Sequence, residues 1–525
     1  MSSVATRHGA ISSRWLAMAA LSLALIAIGL DQTVLSLALP TLSTSLHASE
    51  AQLQWFVTSY TLALAAAMLP AGLLGDRIGR KTVLIGAIAL FGVMSVACAF
   101  APDANAFIAA RTILGVAGAA LTVMSLSVVT VLFDEKERPR AMGIWAAGSF
   151  LALPLGPILG GYILTHFWWG WVFLMNVPVV LIGLTVSLLF VPQSRSEKRP
   201  SIDVLGVVLS SAGLAMLMYG LVEAGDNGWG SSSAIIPSIA GVAALAAFAG
   251  WEILVTARGW IQPLIDVEVF RSRSFNVGVV LAAAGIFGMF GVLFTLPQYL
   301  QAIMGVDAQG AGLRFLPMII GLVIGAVTAD RLAARFGAKL TVAFGFALMA
   351  AGLVIASGMT VTANDAYMAL FTIIVGAGAG IGLATAASAA IVELSAERAG
   401  VGGALVQAII KLGPAFGATI LGSVLNSTYQ GQVQVAGLPP DVAATVQSSV
   451  FGGLGVARQI GSPALLDSVR SAFVAGMDDA SRVAAIIAAV GIAGALLLLP
   501  RRSRSRDLEP EAEAGAESTE QPALM

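Results

Sequence analysis

Three charged side chains sit in stretches otherwise apolar enough to lie away from water: Asp31, Arg111 and Lys411. A charge at the centre of a membrane helix costs about 2.5–3.5 kcal/mol on insertion scales, so each is a functional candidate by default. Asp31 is the first choice for a proton carrier, because a carboxylate can shed its charge by taking up a proton. At 1.5 Å per residue it lies about 13 Å below a helix end at Pro40, and Arg111 lies about 9 Å below the start of its own helix near Asn105. The two depths nearly coincide, so the pair could switch with protonation; equally, Arg111 could only brace its helix. Lys411, with Gln407 one turn before it, falls about 15 Å into another apolar run. There it would repel a cation unless neutralised, attract an acidic or neutral compound, or pair with an acid such as Asp31. Other chemistry finds no support. No phosphate-cradling Walker loop is present. His8, His47 and His166 are scattered, and the one cysteine, Cys98, makes neither an internal disulfide nor a metal site.

Such residues need apolar elements to hold them. The 525 residues are 58% hydrophobic and 11% charged, where a soluble domain carries roughly 25% charged residues. That excludes a soluble enzyme, a DNA-binding protein and a disordered scaffold. The apolar runs are continuous for about 20 residues, the length of a spanning helix, rather than the alternating stretches of about 10 residues that build a barrel. Fourteen begin, near residues 15, 52, 82, 106, 141, 171, 202, 234, 275, 311, 340, 367, 401 and 483. The first runs on to Leu39 without a small-residue cleavage site and reads as an uncleaved span.

Lysine and arginine placement orients the chain. Of the 28 basic residues, 22 fall on one side together with both termini, which are therefore expected to be cytoplasmic. Arg314, Arg458, Arg470 and Arg482 fall outside. The longest outside segment, 427–479, shows patchy helical periodicity at 440–456 and 463–477 and reads as a lid or release lining on the outer surface, or as a plain connector. Glu223, Glu252, Asp330 and Glu393 lie at span ends and are expected to face water, and the tail 501–525 reads as solvated and disordered.

Two loops repeat. Leu74-Gly75-Asp76-Arg77-Ile78-Gly79-Arg80-Lys81 follows the second span, and Leu332-Ala333-Ala334-Arg335-Phe336-Gly337-Ala338-Lys339 follows the tenth, with leucine, arginine, glycine and lysine in one register 258 residues apart. Two parallel six-helix copies with a site at their interface are a usual construction of secondary transporters. The loop residues Gly72, Asp76, Arg77, Gly79, Arg80 and Lys81, with Arg335 and Lys339, read as a gate whose bases would pair with acids on the facing half. In the fifth span Gly156 and Gly160 form a small-residue face while Pro154 and Pro157 bend the helix, which points to a deformable contact between halves. Phe287, Met289, Phe290 and Phe294 are available to line a pocket, although such spacing also suits packing.

These residues resemble those of the major facilitator superfamily, and within it the 14-helix drug:proton antiporters. The loop Gly72–Lys81 matches the superfamily's signature loop at nearly every position, and its second copy has Ala334 where the first has Asp76. Leu30-Asp31-Gln32-Thr33-Val34 and Ala38-Leu39-Pro40 look like the family's helix 1 motif. Arg111 with Gly115, Gly118 and Ala119 is similar to its helix 4 motif. Gly148, Gly156, Pro157, Gly160 and Gly161 resemble its antiporter motif, and Trp169-Gly170-Trp171-Val172-Phe173 the start of helix 6, with Gly170 in place of the usual arginine. The likeness covers residues 15 to 500.

The resemblance implies an all-α integral membrane protein of 14 transmembrane helices: two six-helix bundles with two extra helices between them. The boundaries expected are a cytoplasmic N-terminus to residue 14, an N-terminal bundle at 15–193, the extra pair at 194–258, a C-terminal bundle at 259–500 and the tail. The implied activity is proton-coupled antiport that exports amphipathic organic compounds (drugs, antibiotics, dyes) across the cell membrane by alternating access. It would need no cofactor, drawing on the proton motive force through Asp31 and Arg111. Its partners would be the small molecule, protons and lipid, with no nucleic acid and a monomeric chain. A dedicated exporter of one antibiotic or metabolite is the alternative; a channel or a multi-pass enzyme is a more distant one. Acids are common near Lys411 in exporters of cationic dyes, so Lys411 and Gln407 loosen the expectation of cationic substrates.

Overall fold

The computed structural model describes residues 2–133, 137–195, 203–259, 263–265, 267–392 and 405–500. Its secondary structure, among these residues, is helical with no strand. The N-terminal half holds α1 (Ser2–Ser45), α2 (Glu50–Ile78), α3 (Arg80–Ala99), α4 (Ala104–Leu132), α5 (Arg138–His166), the single turn α6 (Trp171–Leu174) and α7 (Asn176–Phe190). Next come α8 (Val204–Asn227) and α9 (Ser232–Arg258). The C-terminal half comprises α10 (Arg273–Gln298), α11 (Ala308–Leu313), α12 (Leu316–Phe336), α13 (Ala338–Ala356), α14 (Asp365–Val392), α15 (Leu412–Gln432), α16 (Pro440–Ser448), α17 (Val450–Gln459) and α18 (Pro463–Leu498).

Among the described residues twelve helices are long and apolar enough to cross a bilayer, and thirteen if the two parts of α2, bent by 48° at Pro70, count as one span. The bend has a local cause, since proline removes a backbone donor and its ring crowds the preceding turn. The fifth expected span is α5, with 29 residues; several of its side chains, and the surroundings of Gly148, lie outside the described residues, as do Glu393 and 501–525. Helix starts follow ordinary capping chemistry. Ser49 and Gln52 form a reciprocal capping box on α2, and Asp103, Ser231, Ser272 and Asp307 each accept a backbone N–H at the start of a helix.

The last helix departs from expectation. The connector foreseen at 427–479 is shorter, because α15 continues to Gln432 and α18 begins at Pro463, some twenty residues before the expected start near 483. At 36 residues α18 is about 54 Å long, more than the roughly 30 Å of hydrocarbon. Its first turns carry Asp467 and Arg470 and read as part of the outside segment, despite their helical periodicity, because they stand beyond the apolar layer.

The two halves are parallel copies in detail. Gly79 and Gly337 each end one helix and begin the next, with φ of 116° and 82°. A second repeat joins the first: Leu155-Gly156-Pro157 with Gly160 recurs as Leu412-Gly413-Pro414 with Gly417. The glycines of the first copy pack on α1, at Thr33 and Val34, and those of the second on α10, at Ala283, Ile286 and Phe287. The extra pair is not a simple spacer. α8 packs on α9, and also on both α2 and α15, with Met218 buried between Leu62 and Ala415. It therefore straddles the seam between the halves.

Gly79 gives a direct test of the repeat's geometry. Its φ and ψ of 116° and 133° belong to glycine, and a Cβ there would overlap the Gln193 amide. Gly79→Ala is expected to lower the protein's stability by about 1–3 kcal/mol. Gly86→Ala, with open space around it inside α3, should be neutral or stabilising. Thermal denaturation of the two purified variants checks both signs.

Candidate functional site

Asp31 and Arg111 meet. One guanidinium nitrogen of Arg111 pairs with Asp31 Oδ2, its Nε donates to the Phe56 carbonyl at 3.2 Å, and its charge lies 4.3 Å from the centre of the Tyr60 ring. Both side chains are sealed from solvent, at 0% and 1% exposure. A buried charge survives in such a place only with a partner. Three helices make the arrangement: α1 supplies Asp31, α2 supplies Phe56 and Tyr60, and α4 supplies Arg111. Gly115 and Gly118, one and two turns after Arg111, explain the reach. A Cβ on Gly115 would overlap the Tyr60 carbonyl, so α4 rests directly on α2 and Arg111 can extend past it to α1. Asp31 Oδ1 and the Tyr60 hydroxyl have no hydrogen-bond partner among the described residues. The carboxylate thus keeps one oxygen available to a proton.

Thr33 and Val34, the next turn of α1, carry the neighbouring contact. A Cβ on Gly156 would overlap the Thr33 side chain, and one on Gly160 would lie 2.5 Å from Val34 Cγ1. Gly156 and Gly160 therefore work inside the N-terminal half. The contact between halves belongs to their neighbours: the Pro157 carbonyl abuts Gly312 of α11, and Gly161 abuts Ala308 and Gln309. Thr33 and Pro157 also border a narrow cleft whose other wall is Met289, Leu293, Met318, Ile319 and Leu322 of the C-terminal half. Of the aromatic residues expected as lining, Phe287, Phe290 and Phe294 are buried in packing.

The seam also carries a polar ladder that the sequence reading did not single out. Glu50, Gln54 and Thr58, four residues apart on one face of α2, meet the opposite half in turn. Gln298 donates to Glu50 at 3.1 Å, Ser423 donates to Gln54 at 3.1 Å, and the Thr58 and Thr419 hydroxyls are 2.9 Å apart. Gln301 donates to the Leu37 carbonyl at 3.0 Å, and the Gln309 amide to Thr165 at 3.1 Å. All lie toward the ends of the helices opposite the two basic loops. The signal available was the spacing of Glu50, Gln54 and Thr58 on an otherwise apolar helix.

The basic loop is tied differently from expectation. Arg80 pairs with Asp76 at 3.0 Å within its own loop, Lys81 donates to the Leu188 carbonyl at 2.7 Å, and the Arg80 amide to the Ser194 carbonyl at 2.8 Å. Its partners therefore belong to its own half, at the end of α7, rather than to acids across the seam. Gly72 and Gly75 set the base of α2 against Val123 and Met124 of α4, and Arg77 is exposed. In the second copy Arg335 lies 5.4 Å from the Phe336 ring centre, and Lys339 is half-buried. Glu252, expected to face water, is 3% exposed and accepts the Ile265 amide at 3.2 Å, because the segment before α10 folds over it.

Lys411 does not reach Asp31, whose partner is Arg111. It lies at a one-residue irregularity between the helical turn 405–410 and α15, its amide still bonded to the Gln407 carbonyl at 3.1 Å, and is half-buried, with Gln407 exposed one turn below. Pro414 is the reason for the irregularity, since it has no N–H to offer the Ile410 carbonyl. Among the described residues there is no group of histidine, cysteine or acidic side chains able to hold a metal.

Comparison with known proteins adds context to this geometry. Residues 21–418 match the family model described as Major Facilitator Superfamily. The chain is 31% identical to the multidrug efflux pump LfrA of Mycolicibacterium smegmatis, over 91% of this chain and 95% of that protein. It is likewise 31% identical to the tetracenomycin C resistance and export protein of Streptomyces glaucescens, over 95% and 93% of the two chains. Among solved structures it resembles a bacterial homolog of the human lysosomal transporter Spinster in an inward-facing, unoccupied conformation. That likeness has a TM-score of 0.68 at 17% identity and covers 94% of this chain and 99% of the other, a likeness of fold.

Proposed function

The chain belongs to the major facilitator superfamily, and from that premise we propose that it is a proton-coupled antiporter exporting amphipathic organic compounds across the cell membrane. It is a transporter rather than an enzyme. The observation that carries the proposal is the sealed Asp31–Arg111 pair, one helical turn from residues that touch the seam. The naming of LfrA and of the tetracenomycin protein as efflux and export proteins supports the direction of transport.

The cycle follows from the contacts. A proton taken up by Asp31 removes the charge that holds Arg111, which keeps its bonds to Phe56 and Tyr60 on α2. α1 is then released from α4, and α1 carries Thr33 and Val34 against Gly156 and Gly160. α5 in turn presses Pro157 and Gly161 on α11 across the seam. Protonation is thereby linked to the polar ladder at the outer end. Both termini and the basic loops face the cytoplasm in this reading, so the structure is closed outward. One proton moving inward through 100 mV supplies about 2.3 kcal/mol, and a pH gradient adds to it. The chain acts as a monomer, because each half finds its partner within the same chain.

The test is a susceptibility and dye-accumulation panel in an efflux-deficient bacterium, with and without protonophore, over cationic, neutral and acidic compounds. Expression should lower accumulation of several compounds, and protonophore should restore it. Unchanged accumulation throughout, or efflux indifferent to protonophore, would overturn the proposal. Protection against one compound alone would favour the dedicated exporter instead, a reading that the tetracenomycin relative keeps in view.

A further inference from the structure

We infer that Lys411 forms the polar end of a substrate site that selects organic anions, amphipathic molecules bearing a carboxylate or phenolate beside a ring or alkyl body. The inference rests on the exporter reading and names the substrate class of its cavity. Three observations carry it.

The first is charge. Within the spans that meet at the seam, Asp31 and Arg111 neutralise one another, and Glu50, the other buried charge there, lies at the far, outer end of α2. Lys411 makes no ion pair or side-chain hydrogen bond among the described residues. A half-buried ammonium without a counter-charge leaves the inner part of the seam positive, which repels cations and attracts anions.

The second is position. Lys411 lies within the span Leu405–Gln432, just before Gly413 and Pro414, where Pro414 offers the Ile410 carbonyl no N–H. On the helical wheel Lys411 shares its face with Ala415, Ala418 and Gly422. Higher up that face meets the N-terminal half, Ala415 at Leu62 and Gly422 at Gln54. Lys411 therefore continues, toward the inner end, the line along which the halves face one another.

The third is space. Ala408 and Leu412, three residues before and one after Lys411, line an apolar cavity of about 190 Å³ with Ala65 and Pro70 of α2 and Phe248 of α9; Lys411 sits beside this lining rather than in it. An apolar cavity of about 150 Å³ accommodates benzene, so this one takes one ring of a larger molecule. Its walls come from both halves and from the extra helix pair, so an occupant would be held by parts that move relative to one another.

Fluorescein and rhodamine 123, an anion and a cation on the same xanthene frame, are suitable probes. Binding is read by fluorescence anisotropy on the purified protein, and transport in proteoliposomes under an imposed pH gradient. The wild-type protein should bind fluorescein more tightly than rhodamine 123. Lys411→Met should weaken fluorescein binding about ten-fold or more, the loss of one charge-assisted hydrogen bond, and leave rhodamine 123 binding equal or tighter. Lys411→Arg should keep the preference, and retained rhodamine 123 binding shows that the Met variant is folded. Equal fluorescein affinity in wild type and Lys411→Met, or a wild-type preference for the cation, would overturn the inference. If the binding pattern holds but neither dye moves with the gradient, the anion site stands and the exporter reading is what fails.

Discussion

Proteoliposomes carrying Asp31→Asn are expected to show no gradient-driven efflux above that of protein-free vesicles. The substitution keeps the shape of the side chain and removes its capacity to take up and release a proton beside the permanently charged Arg111. The same change leaves the guanidinium without a counter-charge, so some loss of stability is expected too, and a structural role alone would also slow transport. The two are separated by a cycle. Removing one partner of a buried pair costs about 3–5 kcal/mol, whereas replacing both is often close to neutral. Arg111→Met should therefore be strongly destabilised, and Asp31→Asn with Arg111→Met should regain most of the loss in a thermal melt. Activity should not follow stability: the double variant is expected to melt near the wild type and still fail to pump. Recovery of proton-driven efflux in the double variant would show that the pair only braces the helices.

Gly312→Val is expected to abolish transport for a different reason. A Cβ at Gly312 would overlap the Pro157 carbonyl, which is backbone and cannot turn aside as a side chain can. The clash lies across the seam, so relief comes from parting the halves at the outer end. That would break the bonds of Gln298 to Glu50, Ser423 to Gln54 and Thr58 to Thr419 together. A cysteine placed at Ser423, buried in the closed seam, should become accessible to a membrane-impermeant thiol reagent from outside in the Gly312→Val background. The natural Cys98 is buried and contributes little background. Gly431→Val, which meets nothing within 4 Å, is the inert control. Wild-type turnover by Gly312→Val, or an unreactive cysteine, would mean that the outer seam does not open along this line.

Much of this was legible in sequence because membranes impose simple rules. Apolar runs locate helices, and an acid inside a run stands out against a background that excludes charge. Asp31 and Arg111 could be matched by depth because helical rise is constant. The polar ladder was hidden, since glutamate, glutamine and threonine near a helix end are ordinary unless it is known what faces them. Glu252 reads as solvent-facing for the same reason: the segment that covers it follows only 13 residues later, but nothing in the sequence shows that it folds back over α9. Helical periodicity shows at 463–477, but its continuity with the last span does not, because those turns leave the apolar layer, where hydropathy no longer reports on helices.

The sequence by itself determined the class, the helices, the duplicated halves and the residues whose charge needed an explanation, because each depends on local composition and on periodicity along one chain. Only the tertiary structure decided which charges are neutralised and which is left over. Asp31 takes Arg111, Arg80 takes Asp76, and Lys411 takes none among the described residues. Pairing depends on distances between helices far apart in the chain, and those are set by glycines that let two backbones touch. That close packing, rather than hydropathy, turns three isolated charges into one closed pair and one lysine left without a counter-charge among the described residues.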